Sequence, residues 1–306
     1  MTLIVTINGR ESIWLLADRR LSCKGRTLRD DARKLMILET RDGDAILGYA
    51  GLGATTLGTE PADWMSAVLR GRNLPLEHCL GLLAEAAKKQ LPRHMSRIPG
   101  PGGPVHNVIV TAFLNEEVRL YTIDIVYAPD RKTFKFRWTR HVSNSPVQIT
   151  PPVGVGGSGE LHLSHDESWV RPLLHIVKAY ERGKVTPLAV ADHFAKLNYD
   201  VHRNTPDGTV GPSCIVAWRN RKAGRYKGGG GHQCYTKDTR DRESIPLPTI
   251  AHGMDIKAIA DVIMPSWLKA VGKSLVDENL EDIDIDKDEI NDALANLPNK
   301  PDEQLR

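Results

Sequence analysis

Strand-like and helix-like segments occur in blocks along this 306-residue chain rather than in alternation, and that order excludes the parallel, doubly wound α/β architectures. Apolar, β-branched-rich runs at residues 3–7 and 13–17 flank Asn8-Gly9, a strong hairpin-turn dipeptide. A second strand pair, 34–38 and 44–49, crosses the polar turn 39–43 and ends at Ala50-Gly51-Leu52-Gly53. Two helices are expected next, at 62–69 and 75–91. In the second, Leu76, Leu80, Leu83 and Ala87 recur at helical spacing behind Pro75. The Pro- and Gly-rich stretch 92–104 reads as a loop, since proline removes a backbone donor and breaks both helix and central strand. Strands at 107–114, 118–126 and 133–139, helices at 169–180 and 187–201, and a strand at 214–218 complete the series. The expected class is α+β: antiparallel sheets with helices layered outside them.

Beyond Trp218 the signals weaken, which divides the chain into a core at 1–219 and a C-terminal extension at 220–306. The extension holds a Gly-rich loop at 228–231 with His232 and Cys234 beside it, a helical segment at 255–271 interrupted at Pro265, and an acidic tail. Residues 275–306 carry 11 acidic and 3 basic residues, net −8 against +3 for the whole chain, so residues 1–274 carry +11. The positive residues are scattered and follow no nucleic-acid-binding motif, so no nucleic-acid partner is expected. No run of 18 apolar residues exists, and the amino terminus lacks the pattern of a signal peptide; a cytoplasmic protein without a membrane partner is expected. The four cysteines, at 23, 79, 214 and 234, have no C-x-x-C spacing and read as reduced thiols.

Thr2 is the first candidate for chemistry. Removal of the initiator Met would leave a hydroxyl nucleophile and an α-amine on one residue, and an amine of pKa about 7.7–8.0 suits a general base near neutrality. Asp18 closes the second strand and Lys34 opens the third, so Thr2, Asp18 and Lys34 stand 16 and 16 residues apart. The hairpin lays the end of strand two beside the start of strand one, which brings Asp18 towards Thr2. A buried Lys34 would lower the amine's proton affinity by like-charge repulsion, with Asp18 holding the lysine.

Thr2-Leu-Ile-Val, Leu-Ala-Asp18-Arg-Arg20-Leu-Ser, Ala-Arg-Lys34-Leu and Gly48-Tyr-Ala-Gly51-Leu-Gly53 together resemble the proteasome β-subunit family of N-terminal-nucleophile (Ntn) hydrolases. The resemblance covers roughly residues 2–219. It implies a four-layer αββα sandwich, a threonine-type peptidase activity without metal or organic cofactor, and assembly into a homo-oligomeric ring or spiral served by an ATP-dependent unfoldase. By position it implies Thr2 as nucleophile and amine base, Lys34 as cationic tuner, Asp18 as its partner, Gly51 as oxyanion donor and Arg20 as structural support. Leu21, Ala32, Met36, Tyr49 and Gly53 fall at its first specificity pocket, an apolar lining for uncharged residues of a peptide or unfolded protein. Rival readings are an Ntn amidohydrolase on a small amide and a silent scaffold with Met1 retained.

Gly154-Val-Gly156-Gly157-Ser158-Gly159 satisfies G-x-G-x-x-G, but the half of the chain before it lacks βαβ alternation, so a dinucleotide site is not expected. The resemblance implies instead that Ser158 supports the threonine amine. For the family's later aspartate, counting back from Gly211 selects Asp207, whereas continuing the helix selects Asp200. The Asp282-Ile-Asp284-Ile-Asp286 run has Lys287 and Ala293 where a calcium loop needs glycine and glutamate, and His162 and His165 have no partner pattern; no metal is expected.

Overall fold

A computed structural model gives the fold of residues 2–23, 26–51, 60–95, 107–127, 134–143, 150–157, 159–163, 167–205, 208–276, 288 and 290–292. Its strands are β1 (Ile4–Asn8), β2 (Ser12–Asp18), β3 (Leu21–Cys23), β4 (Arg26–Arg29), β5 (Leu35–Glu39), β6 (Gly43–Ala50), β7 (Asn107–Leu114), β8 (Glu117–Tyr127), β9 (Phe134–His141), β10 (Val153–Gly156), β11 (Cys214–Asn220), β12 (Gly230–Tyr235), β13 (Arg242–Glu243), β14 (Thr249–Ala251) and β15 (Met254–Asp255). Its helices are α1 (Pro61–Leu69), α2 (Leu76–Met95), α3 (Glu160–Leu163), α4 (Val170–Glu181), α5 (Pro187–Asn204) and α6 (Ile256–Val276).

One sheet runs β10-β1-β2-β11-β12-β13 and is antiparallel throughout; the other runs β15-β14-β5-β6-β7-β8-β9, with β14 parallel to β5 and the remaining pairs antiparallel. The period-two alternation of the strands decides the layers, because successive side chains leave a strand on opposite faces. In β2, Ile13, Leu15 and Ala17 meet Leu35, Ile37, Ile46 and Ile109 of the facing sheet, while Trp14 and Leu16 meet α4 and α5 through Val177, Val190 and Phe194. In the second sheet, Met36, Leu38, Leu47 and Tyr49 turn outward onto Trp64, Met65, Leu80 and Leu83 of α1 and α2. The result is the expected αββα sandwich with three apolar layers. Trp14 seals one of them, stacking on Trp218 at 5.2 Å and meeting the Tyr180 ring edge-on at 5.3 Å.

The structure corrects several expectations. Helix α2 continues through Pro92 to Met95, and α6 continues through Pro265 to Val276 instead of breaking there. The Gly-rich loop is partly strand: β12 starts at Gly230, because a Cβ on Gly231 would lie 2.6 Å from Trp218 Cζ2 and only glycine lets that strand approach. His232 and Cys234 are therefore sheet residues. The chain beyond 219 joins both layers, since β11 crosses that position, β12 pairs with β11 and β14 pairs with β5.

Candidate active site

The start of β1, the end of β2, the start of β5 and the end of β6 lie at one end of the sandwich, which brings Thr2, Asp18, Lys34 and Gly51 to that end. Register fixes this. Ile4 faces Ala17, and the Asp18 amide donates to the Leu3 carbonyl at 3.0 Å; Leu35 faces Gly48, and the Tyr49 amide donates to the Lys34 carbonyl at 3.0 Å.

Asp18 is fully buried, and its carboxylate accepts four hydrogen bonds. Oδ1 takes the Leu3 amide at 2.9 Å and Lys34 Nζ at 3.0 Å, and Oδ2 takes the amides of Arg20 and Gly211, each at 3.1 Å. Lys34, 1 % exposed, directs Nζ to Thr2 Oγ1 at 2.9 Å, Asp18 Oδ1 at 3.0 Å and the Arg20 carbonyl at 2.6 Å, so all three ammonium protons have an acceptor. Burial pushes the Lys34 ammonium below its ordinary 10.5, and the Asp18 carboxylate opposes that shift. The lysine is therefore a cation held against its own desolvation by three acceptors, one of them the candidate nucleophile. Thr2 itself is 2 % exposed.

Arg20 pairs with Asp30 through Nε at 2.6 Å and Nη2 at 2.8 Å, and Nη1 reaches the Gly208 carbonyl at 2.7 Å. It thus ties the 208–211 turn, whose Gly211 amide holds Asp18, to the strand end that holds Lys34. Gly51 follows β6 with φ +142°, a conformation open to glycine. Leu21 and Ala32 are buried, whereas Met36 and Tyr49 pack into the layer beneath α1 and α2. Gly53, Ser158 and Asp207 lie outside the described residues. Asp200 is on the exposed face of α5, where it pairs with Lys196 at 2.6 Å, and is not brought to Thr2.

Two groups of supporting residues were not legible as such. Gly157, at φ +80°, would place a Cβ 2.1 Å from the Thr2 carbonyl oxygen and 3.2 Å from Ala50 Cβ, and the Gly159 amide donates to that same carbonyl at 3.1 Å. The glycine pattern that matched a nucleotide fingerprint thus serves close backbone approach to Thr2. Its strand β10 is an antiparallel edge paired with β1 and belongs to no βαβ unit. Arg19 is the other. Its guanidinium reaches Glu243 Oε2 at 2.8 Å, Cys234 Sγ at 2.9 Å and the Asp31 carbonyl at 2.8 Å, so β12 and β13 brace the residue between Asp18 and Arg20.

Among the described residues no group of His, Cys, Asp and Glu could hold a metal ion, and no helix is long and apolar enough to cross a membrane. No family model and no curated protein matches the chain. Among solved structures it is similar to Anbu (ancestral beta-subunit) from Yersinia bercovieri, at 14% identity, covering 80% of this chain and 88% of that one with a TM-score of 0.44.

Proposed function

We propose that this chain is a threonine-type Ntn hydrolase of the proteasome β-subunit kind, cleaving peptide bonds with Thr2 once Met1 has been removed. The observation that carries the reading is the Lys34 ammonium, buried and divided between Thr2 Oγ1, Asp18 Oδ1 and the Arg20 carbonyl. A cation bonded to the hydroxyl oxygen favours its alkoxide-like form, which is what a nucleophile needs. Thr2 Oγ1 attacks the scissile carbonyl, and its proton passes to the α-amine. The Gly51 amide receives the oxyanion, and the amine returns the proton to the leaving nitrogen. Water then cleaves the resulting ester. Ser158 and Asp207 support the amine, and Leu21, Ala32, Met36, Tyr49 and Gly53 shape a pocket for uncharged side chains. The enzyme works in the cytoplasm within a homo-oligomeric ring or spiral, on peptides or on protein delivered by an ATP-dependent unfoldase.

A second reading, hydrolysis of a small amide, uses the same Thr2 nucleophile and the same Lys34–Asp18 pair. Digestion of an unfolded protein separates the two.

The test is intact mass and peptide mapping before and after an epoxyketone peptide, which reacts with the hydroxyl and the free α-amine of one terminal threonine. Loss of Met1 with an adduct on Thr2 supports the reading. Retained Met1 leaves no catalytic amine and makes the scaffold reading correct.

A further inference from the structure

A cleft of about 590 Å³ opens at the end of the sandwich opposite Thr2, between the β1–β2 turn, the β7–β8 hairpin and α4. The strand run from Thr2 to Asn8 puts roughly 20 Å between the two sites, at about 3.3 Å per residue. The floor of the cleft is apolar: Ile7 and Val177 are buried beneath it, and Val118, Pro152 and Leu174 are half-buried at its sides. One face of α4 forms a wall. Leu174, Val177, Lys178 and Glu181 follow the i, i+3, i+4, i+7 spacing of a single helix face, so two opposite charges sit beside the apolar step.

Most of the charges around the cleft are already spent. Arg221 donates to Glu11 through Nε at 3.1 Å and Nη2 at 2.5 Å, and Arg119 Nη2 donates to Glu117. Glu181 Oε1 accepts the amides of Glu11 and Ser12 at 2.8 and 2.9 Å and Ser12 Oγ at 3.1 Å. Arg10 and Glu116 stand exposed at the rim. Three groups on the inner walls are left over. Among the described residues Glu181 Oε2 has no donor and Lys178 Nζ has no acceptor, although one helical turn separates them, and Arg119 Nε is buried without an acceptor. Glu181 is therefore held by neutral donors alone and keeps an uncompensated negative charge, beside two cations with donors to spare.

We propose that the cleft binds a short peptide with apolar side chains as a zwitterion. Its ammonium bonds Glu181 Oε2, its carboxylate lies between Lys178 and Arg119, and its side chains rest on Ile7, Leu174 and Val177. A simple anion or cation would satisfy one sign and strand the other, and an uncharged apolar ligand would desolvate both. Charge-assisted bonds at the two ends set the direction of the peptide, and the floor supplies the buried area; a volume of about 300–1,000 Å³ with a few placed polar groups is the usual build of a ligand site. Such peptides are what the proposed hydrolysis releases, yet the site is read from its own walls and stands or falls apart from Thr2.

Isothermal titration calorimetry of the full chain tests it, in a Thr2→Ala background that prevents turnover. The free tripeptide Leu-Ala-Leu should bind one to one, and its N-acetyl and C-amide forms at least about tenfold more weakly. Glu181→Gln keeps an oxygen for the Glu11 and Ser12 amides and removes only the charge. It should weaken the free tripeptide about tenfold and leave the N-acetyl form unchanged; Lys178→Met should do the same against the C-amide form. Both variants should melt with the parent when no peptide is present. Four results overturn the proposal: no heat from the free tripeptide, end-blocked forms that bind as well as the free one, binding that both variants leave untouched (a site elsewhere, the Thr2 end included), or free leucine binding as tightly as the tripeptide.

Discussion

Asp18→Asn is the substitution that tests the candidate site most directly, because it keeps the size of the side chain and changes only its charge and one acceptor. The two carboxylate oxygens each receive two donors: Leu3 N and Lys34 Nζ on one, Arg20 N and Gly211 N on the other. Whichever way the amide of asparagine turns, its NH2 faces a pair of donors and leaves both without an acceptor. Each buried unsatisfied group costs about 1–3 kcal/mol, and breaking a buried ion pair costs about 3–5 kcal/mol. Lys34 loses its carboxylate partner in either orientation, so the ion-pair figure of about 3–5 kcal/mol sets the scale of the loss. At roughly 2–4 °C per kcal/mol the melting temperature should fall by about 6–20 °C. Labelling of Thr2 by an epoxyketone, followed by intact mass, should slow by about 100-fold or more, the scale of lost acid–base assistance. Asp200→Asn is the control: its pair with Lys196 is solvent-exposed, so its effect should stay within about 1 kcal/mol. An Asp18→Asn protein that melts with the wild type and labels at its rate would refute the reasoning, since the four-bond carboxylate would then support neither fold nor site.

Two further predictions follow from neighbouring groups. Lys34 has a folded pKa below its ordinary 10.5, so between the two values the unfolded chain binds the extra proton and stability rises with pH; urea midpoints should show the wild type gaining on Lys34→Met as pH climbs through that window, and a constant difference would contradict it. Glu243→Gln removes a carboxylate bonded to the Arg19 guanidinium, and because residues 18 and 20 both hold Lys34, the labelling rate of Thr2 should drop about tenfold while the partly exposed carboxylate limits the stability loss to about 1–2 kcal/mol; rescue by Glu243→Asp would identify charge rather than shape as the cause.

The layers were legible because they are local. Period two in residues 3–7 and 13–17 predicted β1 and β2, and the same alternation now sends Leu16 to the helices and Leu15 to the facing sheet. The approach of Asp18 to Thr2 was legible for a related reason, since one hairpin sets the end of β2 beside the start of β1, whereas Lys34 arrives from the facing sheet, which no turn specifies. What escaped was non-local. Nothing near Thr249 announces that β14 lies parallel to β5, and Glu243 acts on Arg19 across 224 positions of sequence. The glycines at 154–159 misled for a physical reason as well, because close approach to a phosphate and close approach to a neighbouring strand require the same missing side chain. Pro92 and Pro265 overstated their power to end a helix: each stands inside one, at the cost of one backbone hydrogen bond.

The 16-residue spacing of Thr2, Asp18 and Lys34 is a consequence of topology. The first strand runs away from the site end, the second returns to it, and the connection through β3 and β4 carries the chain to the other sheet, where β5 starts at that end. Topology, however, explains only why the three residues meet, not why two of them are charged. At that position an apolar pair would serve folding as well, because desolvating an ammonium and a carboxylate consumes most of what their attraction returns. Every donor and acceptor of this pair is nevertheless matched, down to the Gly211 amide on Asp18, and one acceptor of the ammonium is the Thr2 hydroxyl. A buried cation so fully held, with its own proton affinity depressed by burial, gains the fold little and polarises Thr2 Oγ1 continuously. That imbalance between structural return and chemical effect is the physical argument for reading the end of the sandwich as a catalytic site.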